Sequence, residues 1–442
     1  MMTRARHAVG ASALGVACLA LPRVAHAAPD TVDSGDTAWI LVSTALVLFM
    51  TIPGLFLFYA GLVQKRNVLS LMMQCMALTA IVTLLWLAVG YSLAFDTVGM
   101  VEGTITLNSF VGGVGKAFLA GVGRDALSGS IPEVLFFTFQ LTFAIITPAL
   151  MVGAFAERMK FSAMLWFSAL WLLLVYLPIC HMVWGGAGAL LADLGVIDFA
   201  GGIVVHVTAG IGALVACILV GPRTGYPEQR MRPHNLTMTV TGTAMLWVGW
   251  FGFNGGSALS ANGDAAMAIT VTHISASVAA LVWMVIEWLR NGKPSMLGLA
   301  TGSIAGLAAI TPASGTVGPV GALGIGLASG LLCYLASVTI KAKLGYDDSL
   351  DVFGVHGVGG FTGTVLAGVF SAAVFGGARA DLNVGTQVGV QALAAVGAVI
   401  YTGVVSFLIL ALLKKTIGLR VTETEEAEGL DLTQHEEMGY DL

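Results

Sequence analysis

Hydrophobic residues fall in long unbroken blocks, separated by short polar connections. Eleven such blocks follow one another, at about 39–63, 68–95, 131–155, 161–178, 201–220, 236–257, 265–289, 296–311, 320–340, 352–375 and 386–413. A helix of ~20 apolar residues, rising ~1.5 Å each, crosses a hydrocarbon core of ~30 Å. The blocks are longer than barrel strands and do not alternate, so each is expected to be a helix. The pattern predicts an all-α integral membrane protein with eleven transmembrane helices.

The connections set the orientation. Three of the 20 Lys and Arg residues precede position 28, and fourteen lie in the alternate connections that contain Lys65, Arg158, Arg232, Lys293, Lys341 and Lys414. Only Lys116, Arg124 and Arg379 fall on the other side. Cations are retained in the cytoplasm, so the N-terminus is expected outside and the C-terminus inside. The first residues read as a separate leader. Arg4 and Arg6 precede a short apolar run and then Ala25-His26-Ala27, the pattern of a secretory signal peptide cleaved after Ala27. The expected organisation is therefore a signal peptide (1–27), an eleven-helix domain (28–416) and a cytoplasmic tail (417–442). The location that follows is a bacterial inner membrane.

Composition agrees with this reading. Of 442 residues, 57% are hydrophobic and 10% charged, against about 25% charged in a soluble domain. The five cysteines lie in apolar segments without metal-ligand spacing and read as packing residues. No nucleophile–base pair or metal-ligand cluster stands in the spans. Neither an enzyme, a metal, a cofactor nor a nucleic-acid partner is expected.

Two histidines stand out. His206 ends the stretch 198–206 (DFAGGIVVH) on the fifth span, and His356 follows Asp351 in 351–357 (DVFGVHG) on the tenth. An ionisable group inside the bilayer is costly and normally faces a pore or a partner. Spans one to five and six to ten would form two repeats of odd helix number, which insert oppositely. The two histidines would then meet near the midplane. His273 has no counterpart of this kind, His181 reads as interfacial, and His234 lies in a connection. Asp198 lies where a carboxylate caps the fifth helix, so its expected role is structural, with an added electrostatic pull on cations. Trp184 in a glycine turn, and the Trp250, Phe253 and Ser257 cluster ending the sixth span, suggest aromatic faces for a cation. An interfacial aromatic belt is the competing explanation.

These residues carry a family resemblance. The stretches 53–62 (PGLFLFYAGL), 67–70 (NVLS), 157–162 (ERMKFS), 181–186 (HMVWGG) and 198–206 resemble bacterial ammonium transporters of the Amt/Mep/Rh superfamily. So do 233–236 (PHNL), 249–257 (GWFGFNGGS), 351–357, 418–421 (GLRV) and 428–431 (EGLD). The resemblance implies a homotrimer with one ammonium-conducting pore per subunit. It implies an outer recruitment site of Phe143, Trp184 and Ser257, with Phe139 and Trp250 nearby. It further implies a gate of Phe143 stacked on Phe253, and a pore lined by His206 and His356. A PII-class nitrogen-signalling protein would close the cytoplasmic exits, using the tail and the loops of Lys65, Arg158 and Arg223. Two other classes stay open. A membrane sensor would report ammonium with little flux. A gas channel of the Rh type would lack the outer Trp, which is present here as Trp184.

Overall fold

The structure, a computed structural model, describes residues 31–229 and 231–441. The expected signal peptide, 1–27, lies outside them. Each apolar block folds chiefly as helix. Along the chain they are α1 (Ser34–Leu62), α2 (Lys65–Phe95), α3 (Glu133–Phe155), α4 (Phe161–Trp184) and α5 (Gly202–Val220). They continue with α6 (Leu236–Gly256), α7 (Gly263–Asn291), α8 (Met296–Ile310), α9 (Pro319–Leu344), α10 (Phe353–Phe370) and α11 (Val384–Thr416). Among the described residues nine of these are long and apolar enough to cross a membrane. The other two are α6, which is long but interrupted by threonines and glycines, and the short α8.

Local sequence sets the helix ends. Asn235, Asn262, Ser295 and Asn383 each accept a hydrogen bond from a first-turn amide of α6, α7, α8 and α11, satisfying donors that a bare helix leaves open. The third block begins two residues later than its hydrophobicity suggests. Ile131 and Pro132 pair with Leu127 and Ser128 in a two-stranded ribbon, and the helix starts at Glu133. Pro132 lacks the N–H a ladder or helix interior would need and so fits this boundary.

One helix crossing positions the interior. Helices α5 and α10 meet at Gly210 and Gly357, where a Cβ on Gly210 would sit 2.2 Å from the Gly357 nitrogen. A Cβ on Gly360 would sit 2.7 Å from the Cβ of His206. Only glycine permits this approach, and it brings the two histidine-bearing segments together. Each of those segments, Gly202–Val207 and Phe353–Gly357, is a wider π-helical turn rather than an α turn. Such turns alter the direction in which a side chain leaves the helix and recur at functional sites. Gln391 of α11 braces this region, bonding both the amide and the carbonyl of Ile197 at 2.7 Å.

The tail folds back on the end that carries the basic loops. Its two short helices are α12 (Glu423–Glu428) and α13 (Leu430–His435). Glu426 accepts from the Thr224 amide at 2.8 Å and from Arg420 at 2.6 Å. Asn67 accepts from the Leu430 amide, and Asp431 accepts from the Ser70 amide, both at 2.7 Å.

Beneath the tail lies a buried ionic cluster. Arg223 bonds Asp347 through Nε and Nη2 and Glu157 through Nη1, at 2.7 to 2.9 Å. Arg158 is fully buried and donates to the carbonyls of Gly221 and Asp347 and to the Ser349 hydroxyl. Both guanidinium groups are spent on internal bonds, so they shape the loops that carry them rather than standing free at the surface.

Candidate functional site

Two cavities and a constriction lie in succession along the molecule, from the end away from the basic loops to the basic end. The first cavity has a volume of ≈ 170 Å³ and is lined by Phe136, Gln140, Phe143, Trp184, Phe199 and Ser257, with Phe95 and Leu259. Phe136, Gln140 and Phe143 share one face of α3, at i, i+4 and i+7. No charged side chain lines this cavity.

Ser257 and Trp184 each commit their proton in a way that leaves an acceptor free. The Ser257 hydroxyl donates to the Phe253 carbonyl at 2.8 Å, so its oxygen lone pairs are available to a donor. The Trp184 indole N–H donates to the Asp198 carbonyl at 2.8 Å, which fixes the ring and presents its face. Trp184 and Phe143 stand at 90° with centroids 5.9 Å apart. Two such faces and an oxygen suit a small cation with hydrogen-bond donors.

Asp198 holds this arrangement from below. Its carboxylate accepts from the amides of Gly201 and Gly202 through one oxygen, and from those of Ile203 and Val204 through the other. These are the open donors at the start of α5, and a carboxylate there also complements the helix dipole. Asp198 is buried, so its charge is spent on the backbone rather than offered to a ligand.

The partition between the cavity and the interior is a ring pair. Phe143 and Phe253 lie 4.2 Å apart, 33° from parallel. Phe143 lines the outer cavity and Phe253 lines the passage beyond. That passage has a volume of ≈ 10 Å³, about one water-sized sphere. Its walls are apolar residues such as Leu55, Ile146, Val205 and Leu246, plus the two imidazoles. His206 and His356 face each other through Nδ1 at 3.2 Å, with rings 5.2 Å apart and nearly parallel. One Nδ1 must carry the proton and the other accept it, so the pair holds opposite tautomers. The Nε2 of His206 makes no hydrogen bond among the described residues. His356 also lines the third space, a cavity of ≈ 370 Å³ reaching Lys341, Asp351 and Arg223 at the basic end.

The sequence-selected residues divide between these spaces. Phe143, Trp184 and Ser257 line the outer cavity together. Phe139 does not. It is fully buried and supports Phe143 edge-on at 5.0 Å. Trp250 lies beyond the partition, 5.5 Å from the His206 ring, with its N–H on the Thr311 hydroxyl.

The tenth helix has its own counterpart of Asp198. Asp348, not Asp351, matches it: Asp348 precedes His356 by the same eight residues and accepts from the Phe353 amide of α10 at 2.7 Å. Asp351 instead pairs with Lys341. His181, expected at an interface, is buried, its ring nitrogens 2.8 and 2.7 Å from the carbonyls of Ala94 and Asn108. Sequence reasoning passed over Asp348 and Gln140. The eight-residue spacing would have found the first, and the helical spacing to Phe136 and Phe143 the second.

Known proteins share this arrangement of helices. The profile of the Ammonium Transporter Family matches residues 38–440. The chain is 46% identical over 414 residues to the putative ammonium transporter of Methanothermobacter thermautotrophicus, covering 93% of this chain and 99% of that one. To the ammonium transporter of Aquifex aeolicus it is 43% identical over 432 residues, covering 97% and 99%. Among solved structures it resembles a Sensor Amt Protein, with a TM-score of 0.82 at 30% identity over 91% of this chain and 98% of that one. Mep2 of Saccharomyces cerevisiae gives a TM-score of 0.81 at 37% identity, over 89% and 90%. The helical architecture is that of the Amt and Mep membrane proteins. Profile and relatives cover nearly all of the described helices, the passage included, and on that ground the chain belongs to the ammonium transporter family.

Proposed function

We propose that the protein recruits ammonium at the outer cavity, deprotonates it, and conducts ammonia past His206 and His356 to the cytoplasm. The carrying observation is the stacked Phe143–Phe253 pair, which separates a cation-suited cavity from an apolar passage. In the cavity, ring faces and the Ser257 oxygen replace water around ammonium, each face contributing about 0.5 to 2 kcal/mol. Beyond the rings, a charge at the bilayer centre costs at least ~2.5 to 3.5 kcal/mol. Apolar walls and two neutral imidazoles offer little to offset that cost. Neutral ammonia meets a far smaller barrier, so near the ring pair ammonium passes its proton to water, which hands it on to the imidazoles. The proton then crosses separately, between imidazoles that already share one hydrogen bond.

In this reading the eleven helices all span, with the N-terminus outside a bacterial inner membrane and the tail in the cytoplasm. Helices α1–α5 and α6–α10 are two inverted repeats. The matching π turns, and the Asp198–His206 and Asp348–His356 spacings, support that division. The functional unit is a homotrimer, and a PII-class protein binds the cytoplasmic face through Lys65 and the tail. Deleting 423–442 tests that partner: full activity with PII binding retained would sink it.

The transport reading is tested with purified protein in liposomes. Ammonium should evoke current and potassium should not. Equal potassium current, or no ammonium flux at all, would refute the mechanism.

A further inference from the structure

The outer cavity has two polar side chains among its lining residues, Ser257 on one side and Gln140 on the other. Ser257 already has a protein partner through its proton. Gln140 has none. It is 9% exposed and lines the cavity from α3, and its Oε1, itself buried, makes no hydrogen bond among the described residues. A buried amide without a partner is destabilising and uncommon. Its position among Phe136, Phe143 and Trp184 makes the omission more pointed, because an apolar side chain of similar size would fill the same place without that cost.

An occupant resolves it. Ammonium offers four N–H donors in a tetrahedron. The two ring faces and the Ser257 oxygen accept three, leaving one donor to be met. The terminal amide torsion of glutamine is broad, so either end turns to the cavity at little cost. Only its oxygen can accept from a cation, since the NH2 end is a donor.

We infer that Gln140 is a second oxygen ligand for ammonium in the outer cavity, and that it sets affinity and donor-count selectivity. This rests on the proposed recruitment of ammonium at that site. The selectivity follows from counting donors. Methylammonium has three N–H groups instead of four; with these on the two ring faces and Ser257, its methyl group lies toward Gln140 and needs no acceptor there. Loss of the Gln140 oxygen therefore penalises ammonium more than methylammonium. A residue that merely shaped the helix would lower uptake of both alike.

The experiment is uptake of isotope-labelled ammonium and methylammonium into liposomes holding the full chain. Gln140→Leu should raise the half-saturating ammonium concentration about tenfold, the scale of one lost hydrogen bond to a charged group. The maximal rate should stay within about twofold, because ground-state binding is what is removed. The preference for ammonium over methylammonium should fall. Gln140→Glu, which keeps the acceptor, should retain wild-type half-saturation or better it. If Gln140→Leu fails to insert, Gln140→Met, unbranched and of similar length, gives the same reading. Unchanged half-saturation and unchanged preference would overturn the inference, as would a fall in maximal rate alone. Trp184→Leu separates the two levels. If it weakens ammonium uptake while the Gln140 variants do not, only the Gln140 assignment fails. If wild-type protein takes up no ammonium, the transport reading fails instead.

Discussion

At the scale of single residues, the histidine pair and Asp198 carry opposite kinds of work. The imidazoles are neutral groups in an apolar passage, joined through one Nδ1–Nδ1 hydrogen bond. Replacing His356 by Glu installs a fixed acceptor of cations there. Potassium current should then appear, while ammonium current persists. Unchanged ammonium current with potassium still excluded would leave the imidazoles neither relay nor filter. Asp198 is an anchor, since its two oxygens accept four backbone amides. Asp198→Ala leaves those amides open and loosens the turn whose backbone carbonyl, at 198, holds the Trp184 indole. The protein should lose about 1 to 3 kcal/mol, read as a lowered Tm, and should lose ammonium uptake with no gain of potassium current. Uptake near the wild-type rate would show that the cap is dispensable. Much of this was legible in the chain, because an imidazole inside an apolar block declares itself by its cost. Gln140 was not, because one amide among phenylalanines reads as a tolerated polar residue until its missing partner is seen.

At the scale of elements, apolar blocks translate directly into helices, since a backbone in lipid has to satisfy its own hydrogen bonds. What hydrophobicity could not give was the depth of each contact. The α5–α10 crossing depends on Gly210 and Gly357, two glycines among 57. Gly210→Val should force the helices apart and break the histidine contact, at about 1 to 3 kcal/mol for overpacking. Uptake should be abolished, and Tm should fall. The same substitution at Gly397 of α11, where added bulk meets nothing within 4 Å, should leave both unchanged.

The ionic cluster was not legible in the sequence for a related reason: counting cations sees residue type and not partner. Burial pushes the Asp347 carboxyl up, but the hydrogen bonds and charge of Arg223, with Arg158 nearby, more than offset this and hold it below its ordinary value. A depressed folded value stabilises the fold above the unfolded pKa of ~3.9 and is lost as pH falls through the folded value. This contribution should therefore be constant from neutral pH to about pH 5, and weaken only below about pH 4. Arg223→Ala removes it at every such pH and leaves Glu157 and Asp347 buried without their cation, a loss of about 3 to 5 kcal/mol. Protease should then cut the tail at neutral pH. Continued resistance would mean that the tail contacts hold without the cluster.

At the scale of the whole molecule, one surface is inconsistent with a single subunit in lipid. His273 is exposed on α7, its ring 5.5 Å from that of Trp247 and 6.1 Å from that of Phe251. Ten residues into the helix, it stands ~15 Å from the start of α7, near the middle of a ~30 Å core. An imidazole facing hydrocarbon at that depth is costly. Beside it the Trp247 indole N–H is buried and unpaired among the described residues. Another copy of the chain against this face would cover both groups. The proposed homotrimer therefore makes a local prediction. His273→Asp, which places a carboxylate from each copy at the contact, should dissociate the assembly into smaller species. Native mass spectrometry from nanodiscs reads this directly. Leu408→Ala, at an exposed leucine of α11, alters a surface that lipid can cover as well as protein, and should leave the oligomer intact. Dissociation confined to the His273 variant would locate a subunit contact on α6 and α7. An intact assembly in that variant would instead assign the face to lipid, and the cost of the imidazole would have to be met by a snorkelling or water-bridged arrangement within one subunit.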